Sequence, residues 1–247
     1  MNLADITAVI LTKNEERRLA RTLEALPEGM PVFVLDAESS DATQRIVREH
    51  GARLYVRAWT DFVDARRFAL AQVTTPLAFV VDADEVVDER LRAALAEAPT
   101  EVDAYLVRRD TRFAGEPIRM WSGERLLRCF RVGAVRVEAF PTTGGDAALH
   151  ERYLCDGSVG ELAGSLQHDS YSGREEYRRK FARYTEIEAR GLSPSFARLL
   201  RESLLVPWRL AKFAFGRAAL LDGPRGWYVM WWSALYPAVV AWRAWRA

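Results

Sequence analysis

The chain has 247 residues, 49% of them hydrophobic, a formal net charge of +1 and two cysteines. This length and apolar content exclude a disordered or fibrous protein and allow one sizeable α/β core, or a core with a small appendage. Cys129 and Cys155 match no zinc spacing and fit a reducing compartment, and the N-terminus enters a strand pattern without a signal-peptide pattern, so a cytoplasmic location is expected.

Residues 6–12 (ITAVILT) read as a buried strand, and residues 15–26 as an amphipathic helix with Leu19, Leu23 and Leu26 on one side. The turn Lys13-Asn14-Glu15 lies where the first loop of a doubly wound sheet meets a ligand. It carries no glycine-rich fingerprint, which argues against NAD binding and a P-loop ATPase. Residues 31–37 (PVFVLDA) form a second buried strand whose Asp36 is placed for a hydrogen bond to a ribose or base. In the loop that follows, Ser40 or Asp41 can cap a helix running to about His50. Residues 52–58 make a third strand, and residues 61–73 a helix with Arg66 and Arg67 as polar members.

Residues 77–85 (LAFVVDADE) are an apolar, β-branched run ending in acidic residues. Strand alternation predicts that Asp82 and Asp84 face one point with Ala83 turned away. Such paired carboxylates suit Mg²⁺ or Mn²⁺ holding substrate phosphates; turn formation and capping of the helical pattern at 89–97 are the plainer alternatives. The alternation of strands and helices up to this point is that of a parallel sheet with right-handed crossovers.

Residues 103–114 and 124–132 read as extended, and between them Trp121 is either a stacking platform for an acceptor or a packed core residue. His150-Glu151 precedes another extended segment, residues 159–167 make a strand, and residues 172–191 form a polar helix with Tyr177, Phe181 and Tyr184 on its apolar side. Its basic residues either meet an anionic acceptor or are a solvated face. From Phe196 on, eight Arg or Lys stand against Glu202 and Asp222, and six of the eight Trp lie in the same stretch. A basic, Trp-rich segment favours a membrane surface over nucleic acid. A helical pattern at 196–220, kinked at Pro207, is followed by a break at 221–226 and an uncharged run at 227–242 that contains Pro237. That run is shorter than the roughly 20 residues needed to span a bilayer, so residues 196–247 are expected to dock at the interface; a hydrophobic hairpin packed on protein is the alternative.

TKNEE at 12–16, VLDAESSDAT at 34–43, RRFAL at 66–70, DADE at 82–85, HERYLCDG at 150–157 and LQHDSY at 166–171, in this order and spacing, resemble the family 2 glycosyltransferases of the GT-A fold. The likeness is greatest to the bacterial branch that includes the lipopolysaccharide core β-1,4-glucosyltransferases. It implies a Rossmann-like, mostly parallel sheet flanked by helices over residues 1–191, with a donor half (1–100) and an acceptor half (101–191), beside the helical membrane-associating tail (192–247) expected from charge and Trp content. Thr12, Asn14, Glu15 and Asp36 would line the base and ribose pocket, with Arg66 beside the donor. Asp82 and Asp84 would hold Mg or Mn against the diphosphate, with His168 as a third ligand. The family often has Lys-Asn or Arg-Asn where this chain has Arg66-Arg67.

An inverting transfer also needs a carboxylate to take the acceptor proton. Glu151 is the first choice, with Asp146 and Asp169 behind it. The implied activity is metal-dependent transfer of a hexose, expected to be glucose carried by UDP, to a lipid-linked saccharide of lipopolysaccharide or another envelope glycan at the inner face of the cytoplasmic membrane. Two rivals stand beside it. A sugar-phosphate nucleotidyltransferase would carry a glycine-rich basic loop after the first strand, and a noncatalytic membrane scaffold would keep only a degenerate nucleotide-sugar fold.

Overall fold

A computed structural model describes residues 2–58, 61–99, 101–139 and 151–246. The first part alternates as the pattern requires: β1 (Ile6–Thr12), α1 (Leu19–Ala25), β2 (Val32–Asp36), α2 (Thr43–Glu49), β3 (Arg53–Val56), α3 (Phe62–Ala71) and β4 (Leu77–Asp82). There follow β5 (Glu85–Val87), α4 (Glu89–Glu97), β6 (Ala104–Phe113), β7 (Glu116–Pro117), β8 (Glu124–Arg131), β9 (Val135–Ala139), β10 (Glu151–Cys155) and β11 (Val159–Tyr171). Helices α5 (Arg174–Arg190), α6 (Phe196–Leu204), α7 (Val206–Ala211) and α8 (Gly223–Arg246) complete the chain.

The main sheet has the order β3-β2-β1-β4-β8-β6-β11-β5, with β7 beside β6; β9 and β10 pair separately. Strands β1, β2, β3 and β4 are parallel, and β8 adds antiparallel to β4. Because β2 and β3 lie on one side of β1 and β4 on the other, the winding reverses between β1 and β4. The crevice beyond the carboxyl ends of such a pair is where open α/β sheets bind ligands.

Burial on both faces is what makes β1 and β4 apolar runs. Alternate residues of β1 feed two cores. Ile6, Ala8 and Ile10 pack with Leu19, Leu23, Ile46, Leu91 and Leu95 of the helices on one face. Val9 and Leu11 pack with Ala65 and Ala69 of α3 on the other.

The described residues divide into two compact units: those within 2–109, 124–139 and 151–168 form the first, and those within 110–123 and 169–246 the second. The division does not fall at residue 192, because Tyr177 of α5 shares a core with Val229 and Met230 of α8 and with Phe113, Ile118 and Met120. The break expected at 221–226 is also shorter than its glycines and proline imply. Ala219–Asp222 makes one 3-10 turn, and α8 starts at Gly223 and continues through Pro237. Pro224 lies in the first helical turn, where its missing N–H costs little. Gly226 is required because a Cβ there would collide with the Ala219 carbonyl. No helix among the described residues is long and apolar enough to cross a membrane.

Candidate active site

Thr12, Asp36 and Asp82 end neighbouring strands: Thr12 stands opposite Asp36, and Leu11 opposite Asp82. The loops after β1 and β2 are knitted together. Asn14 N–H donates to Ser39 Oγ (2.8 Å), Ser40 N–H to Asn14 Oδ1 (2.9 Å) and Glu15 N–H to Thr43 Oγ1 (2.9 Å). Asn14 and Glu38 hold left-handed backbone at φ +55° and +56°, a conformation unfavourable for non-glycine residues that the interlock sustains. Asp36 is fully buried and organises this loop: it accepts from Ser39 N–H (2.8 Å), Ser39 Oγ (2.5 Å) and Gln44 Nε2 (2.9 Å). Asp41, not Ser40, serves the start of α2, with Oδ1 accepting from Thr43 N–H at 2.9 Å. Residues 15–18 form a turn ahead of α1, and Glu15 Oε2 accepts from Arg18 at 3.1 Å. Thr12 Oγ1 is buried with no hydrogen-bond partner among the described residues.

Arg66 departs most from the expected pattern. It is only 2% exposed, and not on the polar side of α3. One guanidinium nitrogen donates to Asp82, and Nε donates to Glu151 Oε1 at 2.9 Å. Arg128, on β8, donates to Asp82 Oδ2 and to Glu85 Oε1, each at 2.9 Å. Arg67, by contrast, ties α3 to β9 by donating to the Val137 carbonyl at 2.7 Å.

Burial opposes ionisation of Asp82, but Arg128 and Arg66 outweigh it and hold this carboxyl far below the usual carboxylate range. For Glu85, which is fully buried, burial prevails over Arg128 and raises the carboxyl. Burial also works against both guanidiniums. Tyr153, Asp82 and Glu151 around Arg66, and Asp82 and Glu85 around Arg128, keep them protonated. Arg66 Nη1 and Arg128 Nε are buried and make no hydrogen bond among the described residues.

Asp82 and Asp84 take different partners. Strand β4 ends at Asp82, whose N–H is captured by Glu85 Oε2 at 3.0 Å, and Ala83-Asp84 become a turn. Alternation therefore lapses, leaving Asp82 on the arginines and Asp84 on His168, with Oδ2 to Nε2 at 3.3 Å. His168 belongs to β11 and stands opposite Glu85. Burial lowers its pKa, but the Asp84 carboxylate more than compensates, so the net shift is upward. Among the described residues no three His, Cys, Asp or Glu side chains are grouped to hold a metal. Asp84 and His168 nevertheless supply the oxygen and nitrogen donors that Mn²⁺ accepts, and an ion shared with a diphosphate needs only one or two protein ligands.

Of the carboxylates weighed as a base, Glu151 is fixed by Arg66, Asp169 belongs to the second compact unit, and Asp146 lies outside the described residues. Arg128 and Glu85 escaped the sequence reading. An arginine inside the run Leu126-Leu127-Arg128-Cys129-Phe130 was the available signal, since a charge in a buried strand requires a partner.

The sequence model of glycosyl transferase family 2 matches residues 7–204. The chain belongs to glycosyltransferase family 2. This family 2 enzyme is 28% identical over 214 residues to the lipopolysaccharide core biosynthesis glycosyltransferase LpsC of Rhizobium meliloti, covering 79% of this chain and 76% of that one. It is 25% identical over 231 residues to an uncharacterized glycosyltransferase of Rickettsia typhi, covering 86% and 77%. A mannosyltransferase of Pyrobaculum calidifontis, solved with GDP-Man and Mn²⁺, matches the fold with a TM-score of 0.50 at 18% identity, over 97% of this chain and 86% of its own. The glycosyltransferase thus has the GT-A fold, as its motifs implied.

Proposed function

We infer that this glycosyltransferase transfers a hexose from a nucleotide sugar, with UDP as the favoured carrier, to a lipid-linked saccharide of the cell envelope, with inversion at the anomeric carbon. The observation that carries the reading is the convergence of Arg66, Arg128 and Asp82 at the end of β4, with buried N–H groups on both arginines that have no hydrogen-bond partner among the described residues. Buried guanidiniums with donors to spare suit a phosphate-bearing ligand. In this reading Asn14, Glu15 and the loop that Asp36 organises receive the nucleoside, with the Thr12 hydroxyl beneath them. Arg66 orients Glu151 through Oε1, so that the carboxylate can take the acceptor's hydroxyl proton. A divalent cation on Asp84 and His168 would neutralise charge on the departing diphosphate.

The tail supports a membrane role. Ten large hydrophobic side chains between Phe196 and Trp245 are exposed, Phe215 at 82% and Leu204 at 70%. On α6, Phe196, Leu200 and Leu204 recur every fourth residue and form one outward stripe. Apolar rings beside arginines match a bilayer with anionic headgroups, such as the inner face of the cytoplasmic membrane.

Thermal unfolding with nucleotides and nucleotide sugars, each with and without Mn²⁺, tests the reading. UDP or a UDP-hexose near 100-fold its Kd should raise Tm by about 5–10 °C. The Mn²⁺-dependent part of that rise should vanish in Asp84→Ala. No shift with any nucleotide would remove the donor-site assignment.

A further inference from the structure

The second compact unit holds a cavity of about 250 Å³ walled by the rings of Trp121, Tyr171, Tyr177, Phe181, Tyr184 and Tyr236, with Ser233 and Pro237 completing the lining. No Leu, Ile, Val or Met side chain among the described residues lines it. The rings come from the 3-10 turn at Arg119–Trp121, the end of β11, and helices α5 and α8. Trp121 and Tyr177 are nearly parallel, 19° apart with centroids at 6.1 Å, while Phe181 and Tyr236 meet at 90° and 5.4 Å. Hydrogen bonds hold the wall: Tyr177 pairs with Ser233, and the Tyr236 hydroxyl donates to Glu188 Oε1 at 2.7 Å. Tyr177 is anchored in the core and 5% exposed, whereas Tyr184 is 37% exposed.

This chemistry discriminates between ligands. An acyl or isoprenoid chain has no need of ring hydroxyls, and Pro237 is the one aliphatic side chain among the described lining residues. A pyranose has one flat C–H face and a rim of hydroxyls, which matches flat rings edged with phenol groups. The volume lies below the roughly 300–1,000 Å³ of drug-sized ligand sites, and so suits a ligand as small as one sugar ring.

We propose that this cavity is a saccharide-binding subsite that takes one neutral hexose ring of the acceptor. Assigning the ring to the acceptor rests on the transferase reading; the binding itself does not. Remote binding of this kind orients a substrate without joining in bond making. No donor-site candidate is among the residues lining the cavity, so the subsite should fill independently of nucleotide.

Saturation-transfer-difference NMR on the full chain, with methyl glycosides of glucose, galactose and mannose as probes and sodium octanoate as the apolar control, tests this directly. At least one glycoside should receive saturation from aromatic protons, with saturating UDP making no difference. Tyr184→Ala and Tyr236→Ala should each weaken that glycoside about tenfold, while Tyr184→Phe, which keeps the ring and removes only its hydroxyl, weakens it less, and an unchanged Tm excludes misfolding. Three results would overturn the subsite: no glycoside bound, glycoside displaced by UDP, or octanoate bound instead and lost in the same variants. A chain that bound glycoside in this way but transferred no sugar would contradict the transferase reading and leave the subsite standing.

Discussion

In the first compact unit charge lies inside. Arg66 and Arg128 are 2% and 5% exposed, and Asp82 and Glu85 meet them at the end of a strand whose other residues are apolar. The second unit reverses this arrangement. One core there gathers Phe113 and Tyr177 with Ile118, Met120, Val229 and Met230, and on its outside Phe196, Leu204, Trp208, Phe215 and Leu221 stand between 58% and 82% exposed. Each arrangement is costly unless something compensates it: buried ions lose hydration, and exposed apolar surface orders water. On the function proposed above, a charged ligand would compensate the first arrangement, and sugar rings in the cavity with lipid at the surface would compensate the second.

The comparison breaks first at Arg128. Arg128→Met leaves Asp82 with one arginine fewer and Glu85 without its close partner, and should lower stability by about 3–5 kcal/mol in urea unfolding. A loss under 1 kcal/mol would mean that water replaces the guanidinium and that the site is wet. Next, Leu204→Glu with Phe215→Glu should leave unfolding within about 0.5 kcal/mol of the parent, because both side chains already face solvent. The same pair should reduce co-sedimentation with phosphatidylglycerol vesicles more than about tenfold. Unchanged sedimentation would remove the membrane role of the tail.

Cys129 measures how dry the first interior is. Burial pushes its thiol from 9.0 up to about 12. Since the folded value lies above the unfolded one, the stabilisation is complete below pH 9 and is lost as pH rises from 9 towards 12. The stability gap between the parent and Cys129→Ala should therefore narrow by about 1 kcal/mol between pH 8 and pH 10. Iodoacetamide at pH 8 should label Cys129 only after unfolding, as read by mass spectrometry. The smallest effect is expected where charge is outside even in the first unit. Arg45 and Glu49 pair at 2.8 Å on the surface of α2, and Arg45→Ala should cost only about 0.3–0.5 kcal/mol.

The parallel sheet was legible because strands buried on both faces must be apolar along their length, as ITAVILT and LAFVVD are. Strand ends were legible too, since acidic residues stop such runs at Asp36 and Asp82. Three features were not. β5 is three residues long within an acidic stretch, too short for a period to register. Arg66 looks in sequence like any solvated helical arginine, and only the carboxylates arriving from β4 and β10 explain its burial. The pairing of Asp84 with His168, in place of Asp82, depends on the backbone hydrogen bond between Asp82 and the Glu85 carboxylate, which no side-chain pattern encodes. In the tail, exposure rather than secondary structure carried the information: both a buried hairpin and a docking surface are helical, and they differ in whether Phe215 and Leu204 are covered.

Arg66 joins Asp82 to Glu151, which lies 85 positions after Arg66 itself, and Arg128 joins Asp82 to Glu85. These residues form one electrostatic unit, so the effects of changing them should not add; double-mutant coupling of about 0.5–3 kcal/mol is the expected range. The fitness of a change at any one of them is therefore set by the state of the others. A substitution that is harmful alone becomes tolerable once its partner has changed, so these positions should drift along the lineage as a linked set rather than one at a time.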